Sequence, residues 1–146
     1  MIKRALLYLF LIGNTVFANS QIVSEEAIPL NKVPKAVQTQ FNTVYENLED
    51  AVTWYSVGTT MYKAKFKYNG ENILVTYSFD GTVKNTLKEI NKEGLPASLI
   101  TNLNNIYPEC EIKSVGVLYK ANIDTFYRLE LYDTINCRNL ITEIEY

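Results

Sequence analysis

A chain of 146 residues, 47% apolar and 21% charged, fits one compact globular domain or two small halves and is too apolar for wholesale disorder. It carries a formal net charge of −2, two cysteines and no histidine. The missing histidine excludes a Ser-His-Asp triad, a Cys-His pair and any histidine-built zinc site, because the commonest general base and the commonest metal ligand are both absent. Eleven tyrosines are the one excess.

Residues 1–18 read as a secretory leader. Lys3 and Arg4 supply its positive start, residues 5–12 an unbroken apolar run, and Val16-Phe17-Ala18 the small or modest residues of a cleavage site, with a second cut available after Ser20. The apolar run is far shorter than the roughly 20 residues that span a bilayer. No cysteine near the cut offers a lipid anchor, and the remaining chain has no long apolar stretch. Taking Lys3 and Arg4 from the 14 basic residues leaves 12 against 16 acidic ones, a net of −4. An acidic chain with no basic block is not expected to bind nucleic acid. The product is expected to be exported, periplasmic or secreted, with no membrane span. Residues 19–32 show no period and read as an extended lead-in.

From residue 33 two segments run in parallel. Val33, Pro34, Val37, Phe41, Val44 and Tyr45 match Leu95, Pro96, Leu99, Leu103, Ile106 and Tyr107, every pair at an offset of 62. Each segment opens a helix, with proline where its missing N–H costs nothing and an apolar face repeating every three or four residues. Pro108 stops the second.

Strands follow each helix. In residues 61–68, Tyr62, Ala64, Phe66 and Tyr68 alternate with Lys63, Lys65 and Lys67. Asn69-Gly70 is a two-residue hairpin signal, and Ile73, Val75, Tyr77 and Phe79 alternate after it. Asp80-Gly81 turns the chain into a strand over residues 82–90. Tyr127, Leu129 and Leu131 then alternate with Arg128, Glu130 and Tyr132, and residues 140–146 place Leu140 and Ile144 inward, Glu143 and Glu145 outward. Residues 52–57 and 112–119 are expected to begin each sheet. The pattern predicts an α+β fold: one helix and four antiparallel strands, twice, over residues 33–90 and 95–146. A half of about 60 residues has a thin core, so the halves are expected to join into one sheet and one domain over 33–146.

A proline-initiated helix, an aromatic-aliphatic helix face, a tryptophan in the first strand, Y-x-A-x-F and then F-D-G resembles the PepSY-like, β-lactamase-inhibitor-like exported proteins of Bacteroidetes. The corresponding residues are Val33-Pro34, the run from Phe41 to Tyr45, Trp54, Tyr62 to Phe66 and Phe79-Asp80-Gly81; the second copy offers Leu95-Pro96, Ile106-Tyr107-Pro108 and Tyr127 to Leu131. The resemblance covers about residues 30–146. It implies a concave sheet with both helices on the convex side and no catalytic residues. The second half departs from the pattern, having Asp133 to Cys137 where the first has Asn69-Gly70 and lacking F-D-G.

The expected function is a non-enzymatic binding module acting through its open sheet face on a protein, peptide or envelope component, with inhibition of a secreted or periplasmic hydrolase as the narrower alternative. The candidate surface is Tyr55, Lys63, Lys65, Lys67, Phe126, Arg128, Glu130 and Tyr132. Trp54 and Tyr55 are adjacent on a strand, so one packs inward and the other outward. The lysines read first as a solvated face paired across strands with Glu130, Glu143 and Glu145, each pair contributing a few tenths to about 1 kcal/mol, and on a concave sheet the same lysines fall where a partner would meet them. Cys110 and Cys137 are expected to form a structural disulfide, contributing about 3–4 kcal/mol in the chain-entropy model. No cofactor, metal or catalytic group is expected: a pair of carboxylates such as Glu143 and Glu145 lacks an enclosing pocket, Asp80-Gly81 lacks the remainder of a calcium loop, and no phosphate or dinucleotide motif occurs.

Overall fold

The structure, a computed structural model, describes residues 25–46, 48, 51–121 and 124–146. The leader assigned to residues 1–18 lies outside them. The elements run β1 (Glu25–Ile28), α1 (Lys35–Val44), β2 (Thr53–Val57), β3 (Met61–Tyr68), β4 (Glu71–Ser78), β5 (Val83–Ile90), α2 (Ala97–Ile106), β6 (Cys110–Lys120), β7 (Thr125–Asp133) and β8 (Arg138–Glu145), with single 3-10 turns at Leu30–Lys32 and Lys92–Gly94. All eight strands form one antiparallel sheet whose spatial order is the chain order. The class is α+β.

Both helices begin directly after their prolines. Pro34 (φ −55°) and Pro96 (φ −56°) stand just before the first helical residue, and their carbonyls accept from Gln38 and Ile100 to open each ladder. The bonded N–H groups lie downstream, so proline's missing donor leaves nothing unmade. α1 buries Val37 and Phe41; α2 buries Leu99 and Leu103 at the same offset. The β3–β4 hairpin turns through Asn69 (φ 51°) and Gly70 (φ 82°), two left-handed residues whose twist suits a two-residue hairpin.

The strand count departs from the expectation of four after each helix. Four follow α1 and three follow α2, and the eighth is β1, drawn from the stretch read as lead-in. The second half has no turn signal between Cys110 and Lys120, so these eleven residues form a single strand that absorbs its irregularity as a bulge between Ile112 and Ser114. β1 joins because β2 would otherwise present an unpaired edge; Ile28 stands opposite Trp54.

Residues opposite one another in an antiparallel ladder share a face, and the register therefore assigns both cores to one side. Trp54, Ala64, Val75, Thr86 and Tyr119 form one continuous rung. Trp54, Ala64, Phe66, Val75 and Tyr77 pack beneath Val37 and Phe41, and Phe41 meets the rings of Trp54 and Phe66 edge-on at 5.1 and 5.0 Å. Val115, Val117, Tyr127, Leu129 and Leu131 pack beneath Leu99 and Leu103. Both helices thus lie on one face of the sheet, and no described helix covers the other.

Candidate functional site on the helix-free sheet face

All eight candidate residues fall on the face opposite the helices. Trp54 is buried and Tyr55 points the other way, standing opposite Lys63. Lys65 and Lys67 follow at the period of two. On the far side of the sheet, Phe126 stands opposite Leu118, and Arg128, Glu130 and Tyr132 follow at the same period. One surface therefore carries all of them, on strands β2, β3 and β7.

A single rung crosses this face: Lys65 on β3, Leu74 on β4, Leu87 on β5, Leu118 on β6, Phe126 on β7 and Glu145 on β8. Within it, opposite charges on β3 and β8 flank four apolar side chains, and Thr53 on β2 continues the rung beyond Lys65. Leu118 is only 1% exposed although it points away from the helices. Gly116 makes part of this layer: a Cβ there would stand 2.6 Å from Leu87 Cδ1, so the missing side chain gives Leu87 room to lie flat. Thr76 and Val57 on the same face are also buried. Sequence reasoning named the charged and aromatic ends of this surface and missed its apolar centre. The signal was present in Ile73-Leu74-Val75, three consecutive apolar residues that break the alternation of a strand with one wet face.

The ion pairs differ from the cross-strand pairs expected of the lysines. Lys63 pairs with Glu25 of β1, while Glu143 holds Lys120 and stands 3.9 Å from Arg128. Five strand spacings separate β3 from β8, so Lys65 and Lys67 have no reach to Glu143 or Glu145 within one chain. Among the described residues neither Lys65 nor Lys67 is placed in an ion pair, and neither is Glu145. Lys120 also lies 4.6 Å above the ring of Phe126, fixing that ring against the sheet.

The cysteines are both free in the structure, which departs from the expected disulfide. Cys110 stands opposite Asp133, which in turn stands opposite Arg138, so Cys137 lies beside the second strand over. Partial burial and the nearby Asp133 carboxylate push the Cys110 thiol up, away from a reactive thiolate. Asp133 is itself buried and accepts from the Ile135 and Asn136 amides and the Asn136 side chain, which hold its carboxyl below the usual range. Asp80 works the same way in the β4–β5 turn: bonds from Ser78 Oγ and the Thr82 amide hold it down at about 2. These two carboxylates organise turns. Among the described residues no group of three or more acidic or cysteine side chains is gathered to hold a metal.

A cleft of about 510 Å³ opens elsewhere, between β1 and α1, with Leu30, Phe41 and Trp54 on its apolar walls and Gln38 on its polar side. Gln38 is engaged there by the Leu30 and Val33 carbonyls. No described helix is long and apolar enough to cross a membrane.

No family model and no curated protein matches the chain. Solved structures do. A Bacteroides eggerthii protein described provisionally as periplasmic superposes with a TM-score of 0.65 at 14% identity, over 77% of this chain and 81% of its own. A DUF2874 family protein from Bacteroides uniformis gives 0.65 at 16% identity over the same shares. A BLIP-like protein from Bacteroides fragilis gives 0.54 at 18% identity, over 82% of this chain and 89% of its own. At these identities the likeness establishes a shared fold: this chain is built like BLIP-like and DUF2874 proteins of Bacteroides.

Proposed function

We propose that this chain is an exported, non-enzymatic binding module of the PepSY-like, β-lactamase-inhibitor-like type, which holds a protein or peptide of the cell envelope on the helix-free face of its sheet. In this reading the two helix-led halves are tandem repeats and the sheet bends away from its helices, so that the helix-free face is concave. The burial of Leu118, Thr76 and Val57 on that face supports the curvature, since side chains crowd on the inside of a bend. The leader-like residues 1–18 and the solved structure described as periplasmic support export.

The observation that carries the reading is the placement of all eight candidate residues on one face around an apolar row. Partner surfaces combine such features: aromatic side chains supply contact area at low entropic cost, and flanking charges select orientation. The test is affinity capture from the native envelope by the mature chain. A stoichiometric partner lost on replacing Tyr55, Lys65 and Tyr132 with alanine, and retained on replacing the helix-surface residues Val44 and Ile106, supports it; capture insensitive to the sheet face refutes it. If the captured partner is a hydrolase whose activity falls on binding, the narrower inhibitory role holds. Turnover of a glycan by the wild type, lost in Glu143→Gln with Glu145→Gln, would replace the binding reading with catalysis.

A further inference from the structure

The rung from Lys65 to Glu145 is positive at one end, negative at the other and apolar between, and such a surface is complementary to itself. A two-fold axis parallel to the strands and passing between β5 and β6 carries β3 of one copy over β8 of a second. It sets Lys65 against Glu145, Leu74 against Phe126 and Leu87 against Leu118, and then repeats each contact in reverse. The neighbouring rung obeys the same operation, since Lys67 and Glu143 are its ends. We infer that the helix-free face docks a second copy of this chain through this two-fold. The inference rests on reading that face as the recognition surface.

Charge is what selects a second copy. Lys65 and Glu145 lie five strand spacings apart, about 24 Å, well beyond a screening length of about 8 Å at physiological salt, so one cannot neutralise the other within a chain. In the two-fold pair both are neutralised, twice over, with no other molecule present. The alternative two-fold, perpendicular to the sheet and joining β8 to β8, sets Glu143 against Asn139 or Ile141 and leaves Glu145 without a cation.

Sedimentation equilibrium of the mature chain in low salt, with charge-swap variants, tests this. The wild type is expected to dimerise, and its dissociation constant to rise as salt is raised. Lys65→Glu makes both ends negative and Glu145→Lys makes both ends positive, so each variant alone is expected to weaken self-association about tenfold or more, the change being felt at two sites. An equimolar mixture of the two is expected to recover a heterodimer within about threefold of the wild-type affinity, which also shows that both variants are folded. A wild type that stays monomeric at high concentration overturns the inference, as does a dimer indifferent to both swaps. A monomer that still captures an envelope partner through this face leaves the binding role standing while removing the dimer; a dimer that captures nothing does the reverse.

Discussion

Gly81 approaches α1 so closely that a Cβ on it would stand 2.7 Å from the carbonyl oxygen of Ala36. Its φ of +87° is also one that other residues adopt only under strain. The β4–β5 turn is thereby seated against the first turn of the helix, and this glycine is required by contact as well as by conformation. Gly70 has nearly the same φ, +82°, with nothing within 4 Å of where its Cβ would be. Gly81→Ala is expected to cost about 2–3 kcal/mol and Gly70→Ala about 1–2, the excess measuring the close approach. Urea unfolding of both variants checks this; equal losses would mean that the helix yields freely.

Tyr77 is fully buried, and its hydroxyl has no hydrogen-bond partner among the described residues. Burial pushes its titration far up, so it stays neutral. Removing an unsatisfied buried hydroxyl while keeping the ring relieves a desolvation penalty. Tyr77→Phe is therefore expected to stabilise the protein by about 1 kcal/mol. A lowered melting temperature would mean that an ordered water satisfies the group.

The Asp80 carboxyl is held at about 2 by Ser78 and Thr82. A carboxylate whose folded value lies below its unfolded one contributes stability above the unfolded value, near 4, and loses it as pH falls through the folded one. Wild-type stability is expected to decline between about pH 4 and 2, and Asp80→Asn to flatten part of that slope while being less stable at neutral pH. Urea midpoints across that range give the comparison.

Tyr55 and Tyr132 lie half-buried on the helix-free face, outside both cores. Alanine at either position is expected to change stability by less than about 1 kcal/mol, whereas Phe66→Ala, beneath α1, is expected to cost about 3–5. Thermal unfolding separates these classes, and a large loss at Tyr55 would place it in the core.

The thiols give a chemical check. Without reductant, the unfolded chain is expected to titrate two thiols, and its intact mass to be unchanged by reductant. In the native protein exposed Cys137 is expected to react first and half-buried Cys110 slowly. A mass lower by two protons before reduction would establish a bridge.

How much of this was legible beforehand depended on how local its cause was. The strand over residues 61–68 and the Asn69-Gly70 turn coincide with β3 and its hairpin, because strict alternation and two residues tolerant of positive φ act within a few positions. Both helices start at their prolines for the same reason. β1 was invisible: Glu-Glu-Ala-Ile has no alternation to read, and it is a strand only because β2 offers it an edge. The second sheet's count failed because the four-strand pattern was copied across the offset of 62, although residues 110–120 carry no turn. At the site, the residue types and their shared face follow from the period of two. Their partners do not, because Lys63 meets Glu25 through a register set by the whole sheet.

The coincidence of spatial and chain order has a consequence for how the molecule comes into being. Every strand pairs only with its neighbours in the chain, so none waits for a later segment to be inserted between it and its partner. A polypeptide delivered N-terminus first can lay down each strand on the edge left by the one before, and each helix emerges ahead of the strands it will cover. At every stage the growing assembly has one unfinished margin, and the next segment to emerge is the one that covers it.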